Sequence, residues 1–173
     1  FVDIQGHWAE NFIKTVYSEG IVSGKAEDRF EPDAFITRAE LTKIAMNAFS
    51  VTPPAKVYEP FKDVFENDWY YNYVVMAQKS GIVGGYTDGT FKPNDSINRA
   101  AALKILVIAS GLDYLMSTAD FPDVRSSDWY ANYVGFAQTN NVVGGYSDGT
   151  FRPGNLITRA EVVKITLKLL ELE

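Results

Sequence analysis

The chain has 173 residues, of which 46% are apolar, enough for a packed core and too many for a disordered segment. Its formal net charge of −6 and the lack of a basic stripe argue against a general nucleic-acid binder, while leaving room for discrete arginine sites. There is no cysteine, so disulfides and thiolate metal sites are excluded, and no apolar run reaches the roughly 18 residues of a membrane span.

From the N-terminus, Phe1-Val2-Asp3-Ile4 leads into Trp8, Phe12, Ile13 and Val16, whose spacing predicts a helix from about Ala9 to Glu19. Gly20 fits the left-handed position that ends it. Ile21-Val22 is a short apolar step, with the character of a two- or three-residue strand. Ser23-Gly24 and the polar run 25–29 form a loop, Pro32 bars helix, and a second helix is predicted from Arg38. Its inner stripe is Leu41, Ile44, Ala45, Ala48 and Phe49. Residues 50–60 contain Pro53-Pro54 and read as a linker.

The same order then repeats. Phe61-Lys62-Asp63-Val64 precedes Asp68, a candidate N-cap, and Trp69, Tyr73, Val74 and Ala77 form the inner face of a helix ending at Gly81. Ile82-Val83-Gly84-Gly85-Tyr86 runs into Thr87-Asp88-Gly89-Thr90-Phe91, where Asp-Gly predicts a tight turn. A helix follows from Arg99 to about Ser110, with Ile105, Leu106 and Ala109 inward, and 111–120 form a second linker. The third pass gives Phe121-Pro122-Asp123-Val124, Asp128-Trp129-Tyr130, a helix to about Asn140, and Val142-Val143-Gly144-Gly145-Tyr146. Asn141 replaces the glycine at the helix end, as the next best left-handed cap. The last helix starts at Arg159, with Val162, Ile165 and Leu169 inward. The chain is therefore three units of about 60 residues: 1–60, 61–120 and 121–173. A single unit of that size buries too little surface to be secure, so the three are expected to share one core as one structural domain.

The most regular stretch is Ile36-Thr37-Arg38-Ala39-Glu40, which returns as Ile97-Asn98-Arg99-Ala100-Ala101 and as Ile157-Thr158-Arg159-Ala160-Glu161. Thr37 with Glu40, and Thr158 with Glu161, have capping-box spacing; Asn98 can cap, but Ala101 cannot close the box. Each arginine thus begins a helix, where the positive end of the macrodipole disfavours a cation by roughly 0.3–1 kcal/mol. Three such placements in register predict that an anion meets each arginine. A carboxylate suits the planar guanidinium fork, and free N–H groups at the helix start would assist.

Taken together, Phe-x-Asp-Val, Trp-Tyr, Gly-Gly-Tyr-x-Asp-Gly-Thr-Phe-x-Pro and Ile-Thr-Arg-Ala-Glu resemble the S-layer homology domain, in three tandem copies over essentially the whole chain. That resemblance implies a mainly α fold, a pseudo-threefold helical assembly with short strands or turns between the two helices of each repeat. It implies a non-catalytic, cell-wall-anchoring module of a larger surface protein at the exterior of a prokaryotic cell, monomeric as this segment. Its expected partner is a secondary cell wall polysaccharide with a pyruvylated N-acetylmannosamine-type terminus, held in grooves between repeats. Candidate glycan-binding residues are Arg38, Arg99 and Arg159, with Asp3, Asp63, Asp123, Gly24, Gly85, Gly145, Trp8, Trp69 and Trp129. No cofactor, metal or membrane span is expected. The alternatives are a peptidoglycan-binding anchor and an assembly module that binds no sugar.

Plainer readings stand beside these. The arginines would pair with Asp3, Asp63 and Asp123; the tryptophans, on a helical stripe, would be mostly core; the glycines would be turn formers. If the arginines serve the ligand alone, Arg159→Ala would lower glycan affinity about 10-fold and leave stability within about 1 kcal/mol. His7 is the sole histidine, and no Gly-x-Ser-x-Gly motif is present, so neither a zinc site nor a serine triad is indicated. Repeat one lacks the Tyr-x-Asp-Gly-Thr turn and repeat two lacks the capping glutamate, so unequal grooves are expected.

Overall fold

The computed structural model describes residues 1–51 and 59–172. Among the described residues the fold is made of a 3₁₀ turn at Val2–Ile4 and six α-helices: α1 (Glu10–Ser18), α2 (Arg38–Ala48), α3 (Tyr71–Lys79), α4 (Arg99–Ser110), α5 (Ala131–Thr139) and α6 (Arg159–Leu170). Each repeat contributes two. The second helices, α2, α4 and α6, pack on one another as a central triangle. The first helices do not pack chiefly on their own repeat. Instead α3 lies on α2, α5 on α4, and α1 on α6, so each repeat is completed by the next and the last by the first. The linker 50–60 falls mostly outside the described residues. The linker 111–120 runs along α5, where Gly135 leaves room for Thr118 and Ala119.

A ring of backbone hydrogen bonds closes the triangle. The N–H of Ile36 donates to the carbonyl of Ile157, Ile157 to Ile97, and Ile97 to Ile36, each at 3.2 Å. Among the described residues the extended pieces pair only as isolated bridges, so Ile21-Val22 forms no strand. Below the ring, one apolar core holds residues from all three repeats, with Phe30, Phe91 and Phe151 fully buried.

Capping chemistry explains where the central helices start. Thr37 with Glu40 and Thr158 with Glu161 form full capping boxes, and the Asn98 side chain accepts from Ala101 N at 2.8 Å. The first two N–H groups of each central helix are also taken. Arg38 donates to Asp95 O and Ala39 to Pro93 O; Arg99 and Ala100 donate to Asn155 and Pro153; Arg159 and Ala160 donate to Ala34 and Pro32. The helix starts are therefore joints between repeats, and the free N–H groups expected there for a ligand are occupied.

Two local expectations also change. Asp68 does not cap α3: its carboxylate accepts from Phe65 N at 2.8 Å, closing the turn before Trp69, and Tyr70 occupies the cap position without a side-chain bond. Asp128 does the same with Arg125 N. The left-handed helix ends behave as the sequence indicates, with φ of 74° at Gly20, 72° at Gly81 and 57° at Asn141.

Candidate functional site: three inter-repeat grooves

Three equivalent grooves lie around the triangle, and each draws on all three repeats. One is lined by Arg38, Ile82 to Tyr86, Ala101, Lys104, Ile105 and Trp129. The second is lined by Arg99, Val142 to Tyr146, Glu161, Lys164, Ile165 and Trp8. The third is lined by Arg159, Ile21 to Lys25, Glu40, Lys43, Ile44 and Trp69. Each therefore has an arginine from the preceding repeat, a floor from its own repeat, and a tryptophan from the following one. The domain packing described above makes this mixture unavoidable. For brevity they are called the Arg38, Arg99 and Arg159 grooves.

The arginines are buried, at 9%, 7% and 5% exposure, so they cannot be ordinary surface cations. Arg38 Nε donates to Phe91 O at 2.7 Å and an Nη to Gly84 O at 3.2 Å. Arg159 repeats this with Phe30 O at 2.9 Å and Ser23 O at 3.0 Å. Arg99 Nε donates to Phe151 O at 3.0 Å, but an Nη turns to Glu161 Oε1 at 2.8 Å. Each guanidinium also stacks near the phenylalanine whose carbonyl it holds, at 4.6 Å from Phe91, 5.0 Å from Phe151 and 4.4 Å from Phe30. Burial pushes the pKa of Arg38 and Arg159 below the usual arginine value, yet an arginine remains charged at any ordinary pH. These side chains tie one repeat to the next while also walling a groove.

The aspartates have a different task. Asp3 accepts from the N–H groups of Phe30 and Glu31, Asp63 from Phe91 and Lys92, and Asp123 from Phe151 and Arg152. None of the three is an ion-pair partner of the arginines at the helix starts. The anchored residue after each phenylalanine has positive φ: 58° at Glu31, 57° at Lys92 and 57° at Arg152. That conformation costs a non-glycine residue about 1–2 kcal/mol, and the carboxylate holds it. It orients the Phe-x-Pro carbonyl that the arginine reaches. For Asp3, burial raises the pKa, but the two N–H groups outweigh it and the net shift is downward.

The tryptophans overturn the core reading. Trp8, Trp69 and Trp129 are 55%, 56% and 58% exposed, because each precedes its helix and lies over a groove rather than on the buried stripe. Facing them are three lysines that the sequence reading did not single out. Lys43 Nζ lies 5.8 Å from the Trp69 ring, Lys104 5.6 Å from Trp129, and Lys164 5.9 Å from Trp8. The signal was present: each lysine stands five residues after the repeated arginine, at one register in all three copies.

Gly24, Gly85 and Gly145 line the grooves, and packing beneath the floor also requires them. A Cβ on Gly85 would meet Phe61 Cε1 at 2.5 Å, and one on Gly145 would meet Phe121 Cε1 at 2.6 Å. Gly24 stands likewise against Phe1. The neighbouring Gly84 and Gly144 have open space where a Cβ would point. The Asp-Gly turns serve the loop itself: Asp88 and Asp148 each accept from the N–H and hydroxyl of the threonine two residues on.

The site is thus a threefold set of clefts, each with a buried guanidinium, a lysine, an exposed tryptophan and a bare backbone floor, in a module of three interlocked helical repeats. The S-layer homology domain matches residues 1–42, 60–103 and 120–163, and the chain belongs to that family. It is 34% identical over 99% of its length to an exoglucanase, XynX, of Acetivibrio thermocellus, of which it covers 16%. It is 30% identical over 99% of its length to a surface-layer 125 kDa protein of Lysinibacillus sphaericus, covering 15% of that protein. A cellulosome-anchoring protein of Acetivibrio thermocellus is 37% identical over 55% of this chain and 22% of its own length. The chain therefore spans less than a quarter of each relative, and what it shares with the exoglucanase is the portion built of these repeats.

Proposed function

We propose that this module is non-catalytic and anchors a larger protein to the bacterial cell surface by binding an anionic wall polysaccharide in the inter-repeat grooves. The observation that carries this reading is the groove itself, built three times from the same parts. A sugar ring has an apolar face that suits an exposed tryptophan, and its hydroxyls suit bare backbone. A carboxylate on the ring, as in a pyruvate ketal, suits the guanidinium and the lysine ammonium across the cleft. Repetition of one cleft fits multivalent or alternative binding, whereas catalysis needs one centre. Cell-surface placement accords with the family and with relatives named as surface-layer and cellulosome-anchoring proteins.

Retention on purified wall polysaccharide tests the proposal. Retention that is lost after chemical removal of pyruvate supports it. Retention on peptidoglycan stripped of polysaccharide would favour a peptidoglycan anchor, and no retention on either would refute wall binding.

A further inference from the structure

The three grooves share a plan but differ in charge at two places: one position on each central helix, and the floor residue Lys25, which stands where the other grooves have Tyr86 and Tyr146. Glu40, Ala101 and Glu161 occupy the helix position. In the Arg99 groove, Glu161 accepts from the guanidinium at 2.8 Å, so that arginine already has its carboxylate. The phenol of Tyr146 donates to the same oxygen at 3.3 Å. In the Arg159 groove, Glu40 lies 3.8 Å from the guanidinium and also pairs with Lys25, which closes over the cleft. In the Arg38 groove the corresponding residue is Ala101. Among the described residues, no carboxylate lies within ion-pair distance of Arg38.

The cleft without a carboxylate is also the roomiest of the three. The clefts measure about 180 Å³ at Arg159, 250 Å³ at Arg99 and 380 Å³ at Arg38. The acids, not the number of cations, set the clefts apart: Arg159, Lys43 and Lys25 share theirs with Glu40, and Arg99 and Lys164, with Arg152 at 4.1 Å from the Tyr146 ring, share theirs with Glu161. The Arg38 groove presents Arg38 and Lys104 with no lining acid, and Lys92 Nζ stands 4.3 Å from the Tyr86 ring at its edge.

We propose that the Arg38 groove is the primary anion site, and that Ala101 selects it by leaving open the place that a glutamate carboxylate takes in the other two. This rests on the glycan reading above. The ligand is a sugar bearing one carboxylate; its carboxylate takes the position vacated by the glutamate, between Arg38 and Lys104, with the ring on Trp129. The Arg99 and Arg159 grooves carry internal counter-ions, which an incoming carboxylate must displace or repel. They bind the same ligand more weakly.

Each tryptophan lies in a different groove, and the chain has three in all, so their indole N–H resonances report occupancy groove by groove. The probe is the methyl glycoside of 4,6-O-pyruvylated N-acetylmannosamine, titrated into ¹⁵N-labelled protein, with Trp→Phe variants assigning the three signals. The Trp129 signal should shift first. Ala101→Glu, which completes the capping box seen at the other two helices and so should melt no lower than the wild type, should weaken binding at that signal 10-fold or more. Glu161→Ala should bring the Trp8 signal into the same concentration range. Binding that begins at Trp8 or Trp69, or that Ala101→Glu leaves unchanged, would overturn the groove assignment while leaving glycan binding standing. Absence of binding by every variant would overturn both.

Discussion

Replacing Arg159 by alanine should destabilise the fold substantially, in contrast to the small effect that a ligand-only role implies. The guanidinium is 5% exposed and joins the third repeat to the first through Phe30 O at 2.9 Å and Ser23 O at 3.0 Å. A hydrogen bond to a charged group contributes about 1.5–3 kcal/mol, and two carbonyls lose their partner together. Against this, removal relieves a helix-dipole penalty of roughly 0.3–1 kcal/mol, and water can enter the open cleft to satisfy part of the loss. A net cost of about 2–4 kcal/mol remains, which for a chain of this size lowers Tm by roughly 5–15 °C. Thermal melts followed by circular dichroism, paired with urea titrations, read this directly. Arg159→Lys should recover only part of it, since an ammonium cannot reach both carbonyls as a planar fork. A Tm within about 2 °C of the wild type for Arg159→Ala would refute the tie between first and last repeats.

Other consequences follow from the same geometry. Residues 61–120 alone should show no cooperative melt, because α3 is completed by α2 and α4 by α2, α5 and α6; a two-state transition from a monomeric fragment would contradict the interlocked core. Gly85→Ala should destabilise by about 1–3 kcal/mol by driving a methyl into Phe61, while Gly84→Ala, with open space, should stay within about 1 kcal/mol, both read by urea denaturation. Trp129→Ala should cost glycan affinity about 10-fold with little change in Tm, since the ring is more than half exposed; calorimetric titration beside a melt separates the two. The folded pKa values of Asp3, Asp88 and Asp128 are depressed, so their contribution is full above the unfolded value near 4 and is lost as pH falls through the folded values. The Tm should therefore fall steeply only below about pH 4, and the Asp123→Asn and Asp63→Asn variants should melt lower because an amide oxygen alone cannot hold both N–H groups.

Much of this architecture was written in the repeat. Capping boxes at Thr37 and Thr158, left-handed ends at Gly20, Gly81 and Asn141, and the six helices all rest on interactions within a few residues, which spacing reveals. The tryptophans lie off the predicted stripe because their helical spacing from Phe12 and Tyr73 continues past the true helix starts at Glu10 and Tyr71. The partners of the arginines and aspartates were invisible for another reason. Arg159 reaches back to Phe30, and Asp63 to the backbone after Phe91, and no local rule encodes contacts at such separations. The odd alanine at position 101 is readable by stacking the three copies, and the same stacking could have supplied the lysine register.

The proposed binding of an acidic sugar in a cleft assembled from all three repeats can be seen in a crystal structure of this chain with a pyruvylated wall oligosaccharide. The carboxylate should lie between Arg38 and Lys104, beside Ala101, with a sugar ring against Trp129. An oligosaccharide seated outside the three clefts, or in one of them with its carboxylate turned away from the arginine, would contradict it.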